Sequence, residues 1–156
     1  MKSGDEEKEV YLLLLVHGIG SNIDSQVLME EKLHASFKKV TQGKGYFDSA
    51  YQIVTHVVDW KSEVEQSGRF GQRLKRVTIP SSSQYAKDMF DYTVPDTMAF
   101  FNPCFLPRIL ESVSNQMNKI VTKLAVEEPR FRGKVSIIGH SLGTVISYDL
   151  LTRQKW

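Results

Sequence analysis

The run Val10 to Val16 (VYLLLLV) is the longest apolar stretch in the chain, and it stops abruptly at His17-Gly18-Ile19-Gly20. Seven residues suit a strand better than a helix, and the glycines that end the run weaken the alternative of a buried helix. A strand with no polar residue on either face has to be covered on both sides. Such strands belong to parallel sheets flanked by helices. Two further segments share this character. Residues 51–58 (YQIVTHVV) are rich in β-branched side chains and end at Asp59-Trp60, and residues 134–138 (KVSII) run straight into Gly139-His140-Ser141-Leu142-Gly143.

Helical patterns separate these strands. Ser21 to Asp24 carries a Ser-x-x-Asp start signal. Met29, Leu33, Phe37 and Val40 then recur on one face, with Glu30, Glu31, Lys32, Lys38 and Lys39 mostly off it. Gln42 to Tyr46, with two glycines, reads as a turn. A longer helix begins at Leu106, tolerates Pro107 in its first turn and buries Leu110, Val113, Met117, Ile120 and Leu124; Pro129 and Gly133 end that stretch. Thr144 to Arg153 reads as a last helix. Strands alternating with helices predict an α/β fold, a parallel sheet of about three strands flanked by helices. Ligands of such sheets bind at the carboxyl ends of the strands. The glycine-bearing loops at 17–20 and 139–143 both fall on that edge.

Composition narrows the classes. Of 156 residues, 41% are hydrophobic and 24% charged, as in a globular domain. The single cysteine, Cys104, excludes an internal disulfide and a Cys-based zinc site, and no cofactor is expected. A net charge of +2 from 20 basic and 18 acidic residues argues against nucleic acid as a main partner. No apolar run approaches the ~20 residues of a transmembrane helix. The first nine residues, MKSGDEEKE, are charged, which fits a flexible acidic tail and not a secretory signal. A cytoplasmic protein, peripheral on intracellular membranes, is the expectation.

Two segments admit both a plain and a functional reading. Residues 61–83 carry Arg69, Arg73, Lys75 and Arg76, a solvated face or a contact for anionic lipid. Residues 84–105 hold Tyr85, Phe90, Tyr92, Phe100, Phe101 and Phe105, the packing of an irregular segment or an apolar wall over a greasy substrate.

Gly139-x-Ser141-x-Gly143 has the spacing of a nucleophile elbow. In that turn the serine is pushed out at a sharp strand-to-helix junction, and the glycines leave room for the strand and helix that meet there. The string alone is weak, but an apolar strand before it and a helix after it supply the required setting. Ser141 is therefore the candidate catalytic nucleophile; a plain structural turn is the alternative. Acyl transfer also needs N–H donors aimed at the developing oxyanion. The Leu142 N–H and the Gly18 or Ile19 N–H hold the expected places, although 17–20 could be a plain glycine turn.

A serine nucleophile needs a base and a carboxylate that orients it, and in elbow enzymes both follow the serine. Beyond Gly143 lie thirteen residues, with Asp149 but no histidine. His140 adjoins the serine and diverges from it, His17 belongs to the oxyanion loop, and His34 and His56 sit on a helix and a strand. Asp59, at the end of the second strand, could approach the site edge but reads first as a turn or capping residue, and Asp149 points away down its helix. The nucleophile is visible and its base is not.

These residues resemble the lipase part of the DDHD-domain family, intracellular phospholipases A that prefer phosphatidic acid. The resemblance runs from about Tyr11 to Lys155. It rests on VHGIG (16–20), VVDW (57–60), LKRVTIP (74–80), FFNPCF (100–105) and FRGKVSIIGHSLGTVISYDLL (131–151). It implies an α/β-hydrolase fold with the 10–16 strand between the other two and the 134–138 strand facing later strands. It further implies cleavage of a glycerophospholipid sn-1 ester at a membrane surface, with Ser141 as nucleophile and the 17–19 loop as oxyanion wall. Members carry a downstream region, named for three aspartates and a histidine, proposed as a metal-type or catalytic site. On that reading residues 10–156 are the N-terminal part of a lipase domain, cut after the nucleophile helix and inactive alone. An esterase of other specificity, or a non-catalytic lipid- or partner-binding module, are the alternatives.

Overall fold

The computed structural model describes residues 8–19, 23–43, 51–62, 97–98 and 100–153. Three strands, β1 (Glu9–Val16), β2 (Tyr51–Val58) and β3 (Phe131–Gly139), alternate with helices α1 (Ile23–Gly43), α2 (Leu106–Glu127) and α3 (Leu142–Thr152). All pairings are parallel and the order is β2-β1-β3, so the most apolar strand is central. The fold is α/β, as the alternating pattern predicts.

Side chains alternate across a strand, and this sorts the helices onto two faces. Val10, Leu12, Leu14 and Val16 of β1 and Val58 of β2 form one core with Ile109, Leu110, Val113 and Met117 of α2 and Leu142 and Ile146 of α3. The other face carries Leu13 and Leu15, both buried, and Thr55 of β2, which is bonded to His34 and Glu30 of α1. The uninterrupted hydrophobicity of β1 thus has its cause in helices on both sides.

Boundaries follow the expected ones with instructive exceptions. β2 spans 51–58 and α2 begins at Leu106 with Pro107 in its first turn. Ile109, outside the expected stripe, is fully buried, whereas Ile120 and Leu124 are only partly so. α1 continues through Gln42 and Gly43, where a turn was expected, and α3 starts at Leu142 instead of Thr144. Glu9, read as the end of the tail, opens β1 opposite Tyr51, its carboxylate 3.1 Å from Lys134 Nζ. Gly133 was expected to break the chain before the third strand, yet it lies inside β3 with φ +78°. That left-handed residue sits where Val10 pairs with Phe131 but Leu12 with Val135, so β3 holds extra residues there as a bulge. The basic cluster at 69–76, the aromatics before 97 and the tail before 8 lie outside the described residues. No described helix is long and apolar enough to cross a membrane.

Candidate functional site

Parallel pairing brings the ends of β1 and β3 side by side, and the two glycine-bearing loops meet there. Val16 faces Gly139 across the sheet, and the His140 N–H extends the ladder by donating to the Val16 carbonyl at 2.9 Å. The chain then turns sharply. Ser141 has φ 53° and ψ −121°, the only positive φ outside glycine among the described residues. This conformation is costly for an L-residue and marks a site where surrounding structure enforces strain. The enforcing contacts are visible. The Gly143 N–H donates to the His140 carbonyl and the Thr144 N–H to the Ser141 carbonyl, closing α3 directly behind the serine.

The flanking glycines are there for space. A Cβ on Gly139 would lie 2.5 Å from Thr144 Cα, and one on Gly143 would overlap the Val16 and His17 carbonyls. Gly18 is equally confined: a Cβ there would come 2.8 Å from Ser141 Cβ and 2.9 Å from the His140 carbonyl. The loop after β1 therefore packs directly against the serine turn. Leu142, buried at the start of α3, and Ile19, packed on the core, flank the junction.

Behind the loop lies a cluster that sequence reasoning left as separate parts. His17 is fully buried, with its ring stacked at 5.2 Å on the fully buried Trp60. Its Nε2 donates to Asp59 Oδ1 at 3.3 Å, and its Nδ1 lies 3.0 Å from the Gly18 carbonyl. Trp60 Nε1 donates to the His17 carbonyl at 2.9 Å. The Asp59 carboxylate also accepts the Lys61 and Ser62 N–H groups, the capping role expected of it. Gln116 of α2 clamps the Asp59 backbone from both sides, accepting its N–H and donating to its carbonyl. The hydrogen bond from His17 holds the Asp59 carboxyl down at about 2, assisted by Ser62 and the Lys61 N–H and opposed by burial. The adjacency of Asp59 and Trp60 at the end of β2, next to the end of β1, was the signal that could have revealed this pairing.

The other candidates lie elsewhere. His34 donates to Thr55 on the α1 side of the sheet, His56 is exposed within β2, and Asp149 is paired with Arg153 at 3.0 Å. His140 lines the turn beside Gly18. Among the described residues none hydrogen-bonds the Ser141 hydroxyl, and no three His, Cys, Asp or Glu side chains gather as for a metal ion. Of the aromatic segment, Phe100 is buried while its edge-on neighbour Phe101 and nearby Met98 are largely exposed.

Comparison with known proteins gives a consistent set of relatives. The chain is 32% identical over 153 residues to the human triacylglycerol hydrolase DDHD2, which covers 93% of this chain and 21% of the relative. It is 29% identical over 150 residues to phospholipase SGR2 of Arabidopsis thaliana (92% and 16%). To intracellular phospholipase A1 of Caenorhabditis elegans it is 30% identical over 149 residues (92% and 17%). The chain thus spans about a fifth or less of the length of these curated relatives. No family profile matches it, and no solved structure does.

Proposed function

With DDHD-family phospholipases as the relatives of this chain, we propose that it is the nucleophile-bearing part of a serine hydrolase that cleaves lipid acyl esters, on an α/β-hydrolase fold. The observation that carries this reading is the backbone of Ser141. A positive φ on a serine, between two glycines whose Cβ positions are already filled, is the geometry a nucleophile elbow requires. It has no evident structural return, since Ser141 caps α3 with no side-chain bond.

In the proposed reaction the Ser141 hydroxyl attacks the ester carbonyl carbon and gives its proton to a base. The carbonyl oxygen takes the negative charge and is held by the Leu142 N–H together with the Gly18 or Ile19 N–H. Collapse of the tetrahedral species expels the lysolipid alcohol, which takes the proton, and leaves an acyl-serine. Water then releases the fatty acid and restores the hydroxyl. None of the four histidines lies within hydrogen-bonding reach of the Ser141 hydroxyl, so the proposal assigns the base to none of them.

The relatives' names support a phospholipid as substrate class; that it is phosphatidic acid, cleaved at sn-1 on a cytoplasmic membrane surface, is the proposal drawn from the sequence resemblance. The human relative is named for triacylglycerol, which makes a neutral acylglycerol the second reading. Fatty acid release by the full-length protein from phosphatidic acid vesicles, phosphatidylcholine vesicles and triacylglycerol emulsions separates these. The proposal expects the phosphatidic acid rate to be highest and to vanish in Ser141→Ala. Preferred turnover of the emulsion favours the second reading, and an active Ser141→Ala contradicts both.

A further inference from the structure

The end of β2 touches the loop after β1 through Trp60, which bonds the His17 carbonyl, and through Asp59, which bonds the His17 ring. A trans peptide is rigid, and its C=O and N–H point in opposite directions. The His17 carbonyl accepts Trp60 Nε1–H at 2.9 Å, which sets the plane shared with the Gly18 N–H. His17 Nδ1 lies 3.0 Å from the Gly18 carbonyl, so the ring packs against the plane shared with the Ile19 N–H. The two peptide planes whose N–H groups are expected to face an oxyanion are therefore backed from the opposite side by side chains, one through a hydrogen bond and one through a close contact.

The His17 ring can act in this way only if it is itself immobile. It is fully buried, stacked on Trp60 with 19° between the planes, and held at Nε2 by Asp59. Asp59 is anchored in turn by Gln116, whose amide nitrogen also donates to Ser112 at 3.1 Å, so the chain of contacts ends on the rigid helix α2. On its other side the loop has no slack, because Gly18 already packs on Ser141 and His140.

We propose that Asp59 and Trp60 are positioning residues for the reaction proposed above, acting through His17 to aim the Gly18 and Ile19 N–H groups at the oxyanion. This rests on the reading of Ser141 as nucleophile. Neither residue touches substrate. Their removal leaves ester binding largely as it is and slows the step in which charge builds on the oxygen. Misplacing a positioned group by about 1 Å costs up to ~100-fold in rate, so the effect falls on kcat.

The test uses the full-length protein and the variants Asp59→Ala, Asp59→Asn and Trp60→Phe, with a soluble 4-nitrophenyl ester as substrate and a fluorophosphonate as covalent probe. The final fraction labelled at Ser141 counts folded sites, while kcat per labelled site reports their geometry. Asp59→Ala is expected to lose about 10- to 100-fold in kcat per labelled site with KM changed less than about twofold. Asp59→Asn, which keeps an acceptor oxygen, and Trp60→Phe, which keeps the stacked ring, are expected to lose less. If Asp59→Ala does not fold, Trp60→Phe carries the test, since it removes the donor to the His17 carbonyl while keeping an aromatic ring in the buried site. A kcat per labelled site equal to wild type in the folded variants overturns the positioning role and leaves the hydrolase reading standing. A wild-type protein that neither turns over ester nor labels at Ser141 overturns both.

Discussion

Asp59 is the residue whose chemistry reaches furthest through the site. Its carboxyl is held at about 2 instead of 3.8, chiefly by His17. A depressed carboxyl stabilises the fold fully above its unfolded value and loses that contribution as pH falls through the folded one. Stability due to Asp59 is therefore complete above about pH 4 and is lost between about pH 4 and 2. Asp59 is roughly a third exposed, so after solvent screening the loss is on the order of 1 kcal/mol. Melting curves of wild type and Asp59→Asn should converge as the pH is lowered through that window; a constant gap between them would contradict the assignment. Gly18→Ala separates site from scaffold at the same scale. Its methyl group would meet Ser141 and the His140 carbonyl, so esterase rate is expected to drop at least tenfold, whereas Ser141 labelled to completion at the wild-type rate would contradict the close packing.

Among the elements, the two glycine positions in and after β3 make contrasting demands. Gly133 has a left-handed φ but open space around it, so Gly133→Ala carries backbone strain alone, about 1 kcal/mol. Gly143 has an ordinary φ but no room, so Gly143→Ala must push α3 away from the end of β1 and costs about 3 kcal/mol. Chemical denaturation that ranks them in the other order would contradict this assignment of causes. The same contrast shows what could be read in advance. Gly143 was legible because it belongs to a contiguous five-residue motif, although the carbonyls it makes room for, those of Val16 and His17, are distant in the chain. The bulge at Gly133 was not, because a glycine after a proline reads as punctuation and the residues that keep β3 pairing, Val10 and Phe131, are distant in the chain. For the same reason Ser141 and Gly18 could be singled out one loop at a time, while the contact of His17 with Asp59 and Trp60, across 42 and 43 residues, needed the register of β1 on β2. Asp59 was read as a cap, which it is, and its second partner went unseen.

At the scale of the whole molecule, β1 is shielded on both sides while β3 is paired only with β1 among the described residues. From Lys134 to Gly139 it is only half buried, and Val145, Tyr148 and Leu151 of α3 are exposed. An open strand edge beside exposed apolar side chains is a template for association. The 156-residue chain alone should associate with rising concentration in sedimentation; a monodisperse monomer at all concentrations would contradict this.

The serine decides whether this fold does chemistry. The most direct measurement is reaction of the folded full-length protein with a fluorophosphonate, followed by mass spectrometric location of the adduct. A stoichiometric adduct on Ser141, lost together with lipid hydrolysis in Ser141→Ala, is the predicted result. A folded protein that stays unlabelled at Ser141, or keeps hydrolysing lipid after Ser141→Ala, would contradict it.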